Sequence, residues 1–549
     1  MSSEPRLRGL YRTDERARAA YAEAAGIYRI VPRAVALPAH LDDLVRLVRW
    51  AADERVPLVP RGAGSAMGGG NVGEGVVVDV TRMDGPGVEI HSGQRRGRMR
   101  AGASLGELEA ASAPHNLRLP PDPSSARWAT AGGVVSTNAA GARSVRYGSV
   151  RRWVEAVTLV TADGEVSRIS RGQDPPTPRS ARRPAAFTRF DREAAPAIRG
   201  ARELIRSRFP RTAKNSSGLA LDAYLESGDL LDLIVGAEGT LGFVTDVDWR
   251  LDPIPAARAG LRILLRDYAT MPELVGRLVE LGPSAVELLD RTFLDLVASH
   301  GGDHAIAPAG VGIEAVLLVE LEAQGPAQLR SLAQSAIAIA RPLAFEVDAA
   351  LSPEGAERLW RLRHAASPIL AGLPPDRRSL QVIEDACVPV PRLFDYVAAV
   401  RRAAEARGLA VVIFGHAGDG NVHVNLLPEL ARAGWEAQVA DLLEEITETV
   451  IQFGGVPSGE HGDGRLRAGF LERVYGREIV GLFRKVKESF DPLGILNPGI
   501  ILPSGEPPIA RLKAGAGAVP LPPDIAAALR EIERDGGYAR SRLELADDH

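Results

Sequence analysis

From Arg33 to Glu54 apolar residues recur at helical spacing, with Leu44, Val45, Leu47, Val48 and Ala51 on one side. Asp42, Asp43, Arg46 and Arg49 fall mostly on the other, which predicts a surface helix. The short apolar run Val56 to Pro60 predicts a strand that leads into RGAGSAMGGGN, and Gly75 to Thr81 predicts the next strand. Val154 to Ile169 alternates as a hairpin does, with Asp163-Gly164 at its turn. Arg171 to Pro196 loses periodicity and is rich in Pro and Arg, so a surface loop or insertion is expected. The composition shifts at PIPAA, residues 253 to 257. Beyond it, LRILLRD and AVLLVELEA read as strands alternating with the helical stretches MPELVGRLVELG and AQLRSLAQSAIAIARP, which predicts an α+β second domain. Gly454 to Leu502 returns to glycine-rich turns around an amphipathic helix, and from Pro503 a Pro/Ala-rich stretch and a charged helix are expected to form a peripheral tail.

At 549 residues the chain exceeds what one core supports, and 45% hydrophobic with 25% charged residues is a globular composition. The 66 basic and 70 acidic residues nearly cancel, leaving no overall field for nucleic acid. Cys387 is the one cysteine, which excludes an internal disulfide, a cysteine-rich zinc site and an iron–sulfur cluster on this chain's own thiolates. It lies in EDACVPV, where buried packing is expected. The start MSSEPRLRGLY has no apolar core, and no run of about 18 apolar residues occurs anywhere, so no transmembrane segment and a cytoplasmic location are expected.

Glycines 62, 64, 68, 69 and 70 bare successive backbone N–H groups beside Arg61, a pattern that suits an anion or a plain flexible turn. It is not the dinucleotide fingerprint, which needs its glycines to open a helix. Two further small-residue segments, 119 to 148 and 236 to 245, must let something come close. In GHAGDGNVHVN, strand alternation puts Asn421, His423 and Asn425 on one face, and the Asp419-Gly420 turn lets His416 fold towards it. Such loose spacing alone also fits a packed histidine pair. With Glu460 from SGEHGDG added, the three form a nitrogen and oxygen set that suits Zn, Mn or Fe.

The ordered motifs PRGAGS, PPDPSS, AGG…TNAAG with RYG, GAEGTLG, GHAGDGNVH, SGEHGDG and DPLGILNPG resemble the FAD-linked oxidase family, of the vanillyl-alcohol-oxidase or PCMH-type fold. Its members include D-lactate, glycolate and D-2-hydroxyglutarate dehydrogenases. The resemblance implies an α+β chain with a two-lobed PCMH-type FAD-binding domain at 1–252 and an α+β cap domain carrying an antiparallel sheet at 253–455. Residues 456–502 would return to the FAD domain, and 503–549 would be the peripheral tail. It further implies that Arg61, Gly62, Ala63, Gly64 and Ser65 wrap the FAD pyrophosphate, with Pro121, Asp122, Ser124 and Ser125 along the cofactor. Gly132, Gly133, Asn138 and Gly141 would pack close to it, and Glu238, Gly239, Gly242 and Val244 would contact the adenosine side. Several relatives tether the flavin to a histidine where Ser65 stands, so the FAD is expected to be noncovalent.

By the same resemblance His416, His423 and Glu460 bind a divalent metal, first of all Zn, and His461 faces the substrate hydroxyl; as an imidazole whose pKa can sit near neutral pH it would accept that proton as general base. Arg363 holds the substrate carboxylate, helped by Asn425 and by Ser367. Asp419 and Asp463 are expected to support turns, and His300, His304 and His364 carry no such context. The implied reaction is hydride transfer from Cα of a D-2-hydroxy acid to flavin N5. Electrons would pass to a separate iron–sulfur protein, electron-transfer flavoprotein or quinone at the inner face of the membrane, or to oxygen, and a homodimer is compatible. A lysine that D-2-hydroxyglutarate dehydrogenases can carry before the strand at Gln381 is missing, with Arg377 or Arg378 as substitutes. The alternatives are a non-catalytic FAD-binding subunit and a non-redox flavoenzyme of the same fold.

Overall fold

A computed structural model describes residues 4–173, 183–300 and 312–547. Among them, helices pack on four β-sheets. Val76–Asp79 is buried at every position and pairs in parallel with Ala34–Leu37 and Leu58–Arg61, as expected of strands covered on both faces. A five-stranded antiparallel sheet follows the order Glu89–His91, Arg96–Arg100, Phe243–Arg250, Val154–Val160, Val166–Ser170. The six-stranded antiparallel sheet has the order Glu346–Ala350, Ala257–Leu265, Ala315–Ala323, Ala285–Asp290, Ala410–His416, Asn421–Leu427. Its last two strands are the hairpin of the histidine motif, and the class is α+β.

The strand Ala315–Ala323 is buried throughout, yet two of its residues are acids. Leu317, Val319 and Leu321 pack with Leu274, Leu278 and Leu329 from the helices Met271–Val279 and Pro326–Ala340. Strand alternation sends Glu320 and Glu322 to the opposite face. There Arg143 Nε lies 2.8 Å from Glu320, and Arg118 donates to both oxygens of Glu322 at 2.8 and 2.9 Å. A buried carboxylate is tolerated only when so paired. The six-stranded sheet therefore meets the segment 118–147 along a charged seam rather than an oily one.

Several expectations are corrected. The stretch 33 to 54 is not one helix: Ala34–Leu37 is a strand and Leu41–Glu54 the helix. Asp43, expected towards solvent, is fully buried and accepts from the backbone N–H groups of Arg8, Gly9 and Ala39 at 2.8 to 3.1 Å. Of the expected loop 171 to 196, residues 174–182 lie outside the described residues. Its later part is helical, and Phe187 and Phe190 are buried against Phe490. The segment from Pro503 is not peripheral: Leu529, Ile532 and Leu543 share a core with Tyr21, Val35 and Val59. Lys513 is buried with its ammonium 3.2 Å from the carbonyl of Ala24. No helix among the described residues is long and apolar enough to cross a membrane.

Candidate active site

Cross-strand register builds the centre of the site. Glu287 pairs with His416 on the next strand, His416 with Asn421, and Phe414 with His423, so all five side chains share one face of the sheet with Asn425. Gly420, at φ +73°, turns the hairpin; a Cβ there would lie 2.0 Å from the carbonyl oxygen of Val388. The loop carrying Glu460 closes over the hairpin, its backbone fixed by Asp385, whose Oδ2 accepts from the N–H groups of Glu460 and His461 at 3.0 and 2.8 Å. His416 Nε2 and His423 Nε2 are 3.2 Å apart, and Glu460 Oε1 lies 3.1 and 3.4 Å from them.

The far nitrogens decide which way these rings face. His416 Nδ1 sits 2.6 Å from Glu287 Oε1, and His423 Nδ1 sits 3.1 Å from the carbonyl oxygen of Glu384. In the neutral rings, a proton at each Nδ1 would leave both Nε2 lone pairs turned on Glu460 Oε1, an arrangement of three acceptors. Without a cation, burial opposes a charge on His416, but Glu287 and Glu460 outweigh it, raise its pKa and favour a proton there. Glu287 also accepts from Arg363 Nε at 2.7 Å. Burial opposes its charge, but His416 and Arg363 outweigh burial and hold its carboxyl down to about 2. The Arg363 guanidinium lies over the Phe414 ring, 4.7 Å from its centre.

His461 stacks on His423 with ring centres 5.2 Å apart, and its Nδ1 is 2.6 Å from Glu384 Oε2. Arg467 Nη2 fixes the other oxygen of Glu384 at 2.5 Å. Burial pulls the ring down, but Glu384 and Asp385 outweigh it and push His461 up to about 10. Asn425 Oδ1 accepts from Ser379 at 3.1 Å and Gln381 at 3.3 Å.

One cavity of about 720 Å³ joins this centre to the glycine-rich loops. It is lined by His416, His423, Glu460, His461, Arg363 and Asn425, and also by Arg61, Gly62, Ala63, Gly64, Ser65, Asp122, Ser124, Ser125, Gly132, Gly133, Gly141, Glu238, Gly239, Gly242 and Val244. Pro121 and Asn138 stand behind the wall instead. Asn138, at φ +51°, ends the helix Ala131–Thr137 and accepts from the Arg151 N–H. Arg61 does not reserve its guanidinium for a ligand: it donates to the carbonyls of Tyr21 at 3.2 Å and Glu23 at 2.8 Å. Glu238 accepts from the N–H groups of Asp463 and Gly464, and burial, reinforced by Asp463, pushes its carboxyl up to about 8. The missing side chains of Gly62, Gly141 and Gly239 are filled by Thr130, Asp122 and Pro60, so these glycines serve close packing inside the wall.

Sequence reasoning missed several residues. Glu287, Glu384 and Asp385 orient the histidines and the Glu460 loop, and Lys214 lies 2.8 Å from Glu460 Oε2. His364 lines the cavity, as do Glu533 and Tyr538 from the supposed tail. The Tyr538 ring lies tilted beside Trp128 with centres 6.0 Å apart, and Glu533 pairs with Arg378, which also lines the cavity. Arg377 is exposed, whereas Arg378 is buried and faces the cavity. The side chain of Ser367 and the whole of His304 lie outside the described residues.

Residues 32–170 match the FAD binding domain, and residues 254–501 match the C-terminal domain of the FAD linked oxidases. The chain is 29% identical over 485 residues to a D-lactate dehydrogenase of Archaeoglobus fulgidus, covering 86% of this chain and 93% of that one. It is 28% identical over 480 residues to the glycolate oxidase subunit GlcD of Bacillus subtilis, covering 87% and 90%. A D-2-hydroxyglutarate dehydrogenase of Pseudomonas putida is 29% identical over 514 residues, 90% of this chain but 50% of that protein, so the chain spans about half its length. In fold it is similar to an alkyldihydroxyacetonephosphate synthase structure, with a TM-score of 0.59 at 16% identity over 89% of this chain and 83% of that one. Two matched domains, one on each side of a shared cavity, place this chain: it belongs to the FAD-linked oxidases.

Proposed function

We propose that this oxidoreductase removes a hydride from Cα of a D-2-hydroxy acid, of the D-lactate, glycolate or D-2-hydroxyglutarate type, and releases the 2-oxo acid. The observation that carries the reading is the convergence of His416 Nε2, His423 Nε2 and Glu460 Oε1 within 3.1 to 3.4 Å, in one cavity with the glycine-rich wall. With both rings neutral, the two Nε2 lone pairs and Glu460 Oε1 form a donor set that a cation would satisfy in place of a proton on His416. Their spacing suits neighbouring ligands about 2.1 Å from one ion, and the donor set fits zinc, manganese or iron. The cavity is of a size for a large cofactor, and the wall 61–65 and 124–133 supplies backbone and hydroxyl groups for a diphosphate without a tethering side chain.

When bound, FAD supplies the hydride acceptor and a divalent ion supplies a Lewis acid for the substrate hydroxyl. With its Nε engaged by Glu287, Arg363 would take the substrate carboxylate through its Nη groups, fixing which face of Cα meets the wall. Asn425, held by Ser379 and Gln381, offers its amide N–H to the same acid. His461, oriented by Glu384, would accept the hydroxyl proton at Nε2, and a nearby cation would bring its pKa down from the value Glu384 sets. Electrons would then leave to a separate acceptor, since no cysteine here can hold a cluster. Anaerobic titration of the purified yellow protein with D- and L-2-hydroxy acids, before and after chelation, tests the reading. Bleaching by a D acid that chelation suppresses is expected, and a flavin never bleached by any such acid would sink it.

A further inference from the structure

Lys214 lies 246 residues before Glu460 in the chain, in RTAKNSSG, and nothing in the preceding chemistry uses it. Its side chain is 2% exposed. The ammonium stands 2.8 Å from Glu460 Oε2, 3.3 Å from Asn421 Oδ1, 3.4 Å from the carbonyl oxygen of Gly141 and 3.7 Å from Asp419 Oδ2. A lysine this deep is costly to desolvate, and an apolar side chain of similar volume would commonly serve stability as well or better. Its partners therefore matter more than its burial.

Those partners come from separate pieces of chain. Gly141 belongs to the small-residue wall, Asn421 and Asp419 to the histidine hairpin and its turn, and Glu460 to the loop that closes the site. Asp419 is itself held by the Ser144 hydroxyl at 2.6 Å. The result is a division of labour within one carboxylate: Oε2 is taken by the ammonium, while Oε1 alone faces His416 Nε2 at 3.1 Å and His423 Nε2 at 3.4 Å. A carboxylate free at both oxygens can swing or grip an ion with both; one clamped at Oε2 cannot.

We propose that Lys214 is a positioning residue that clamps Glu460 so that a single oxygen joins the two imidazoles, and that ties this centre to the glycine wall through Gly141. The inference rests on the reading of His416, His423 and Glu460 as a cation site. The test uses the full-length FAD-loaded protein with Mn2+ as probe, comparing wild type, Lys214→Met and Lys214→Gln. Affinity is read by competition with a chelator, coordination by the Mn2+ paramagnetic resonance spectrum, and integrity by flavin content and melting temperature. Outer partners of metal ligands typically govern about 10- to 100-fold in affinity, and K214M is expected to weaken Mn2+ by that much with FAD retained and an altered spectrum. K214Q, which keeps a donor within similar reach of Glu460, should recover part of the loss, and it carries the test if K214M does not fold. Wild-type Mn2+ affinity and spectrum in the folded variant would overturn the role of Lys214 while leaving the cation site intact. A wild type that binds no Mn2+ would remove the cation site itself, and the inference with it.

Discussion

An imidazole whose Nδ1 faces a buried carboxylate at 2.6 Å is slow to give up its proton, and His461 is in that position. Its pKa, raised above the unfolded value by Glu384, means that a base at this ring is released only as pH climbs. The acid limb of kcat/KM should therefore move down by about 1 to 3 pH units in Glu384→Gln, since an opposite charge at this range shifts a pKa by that much. A pH profile with an unmoved limb would separate Glu384 from the base. His461→Asn should lower kcat by about 10²-fold with FAD retained, which steady-state assays and the flavin spectrum check together. The three groups His416, His423 and Glu460 were legible in the sequence because two short motifs carry them. Glu287, Glu384 and Lys214 were not, since each reaches the site through pairing in space and none sits at a telling spacing in its own segment.

At the scale of elements, the loop crossing beneath the site depends on Gly464, where φ is +55° and a Cβ would lie 1.8 Å from the carbonyl oxygen of Gly68. That carbonyl already accepts from the N–H of Arg465 at 3.0 Å, so neither backbone can give way. Gly464→Ala should lower the melting temperature sharply and shed FAD, because strain at positive φ alone costs about 1 to 3 kcal/mol before the clash is added. Gly481, inside the helix Arg477–Phe490 with open space around it, supplies the contrast. Gly481→Ala should stabilise by about 0.4 to 1 kcal/mol in denaturant melts. The hairpins and the longer helices were legible from periodicity. The strand Ala34–Leu37 was hidden because four apolar-leaning residues before a helix carry no period of their own. Asp43 looked solvated because the chain that it caps, Arg8 and Gly9, lies more than thirty residues away.

Across the whole molecule, the segment from Pro503 changes what the cavity is. Glu533 faces Arg378, Lys513 and Arg530, and although burial opposes its charge these cations hold its carboxyl down to about 2. Lys513 is itself held below its ordinary value, since burial there outweighs Glu533, so the acid response of the cluster belongs to the carboxylate. A carboxyl lowered on folding stabilises fully above its unfolded value near 4.5 and loses that contribution as pH falls towards 2. Melting temperature should therefore drop between those limits in wild type, and the drop should be shallower in Glu533→Gln. The charge and composition of this segment suggested a loose appendage, because its apolar positions are few and their partners, such as Tyr21 and Val59, are almost five hundred residues distant. That distance has a consequence for how the protein is made. A chamber begun at Ala25 is finished only at Tyr538, which at about 5 to 20 residues per second leaves the ribosome roughly 26 to 103 s later. Throughout that interval the nascent glycine wall stands without the panel that Glu533 and Tyr538 provide, so tight loading of the flavin is expected only after this segment has been made.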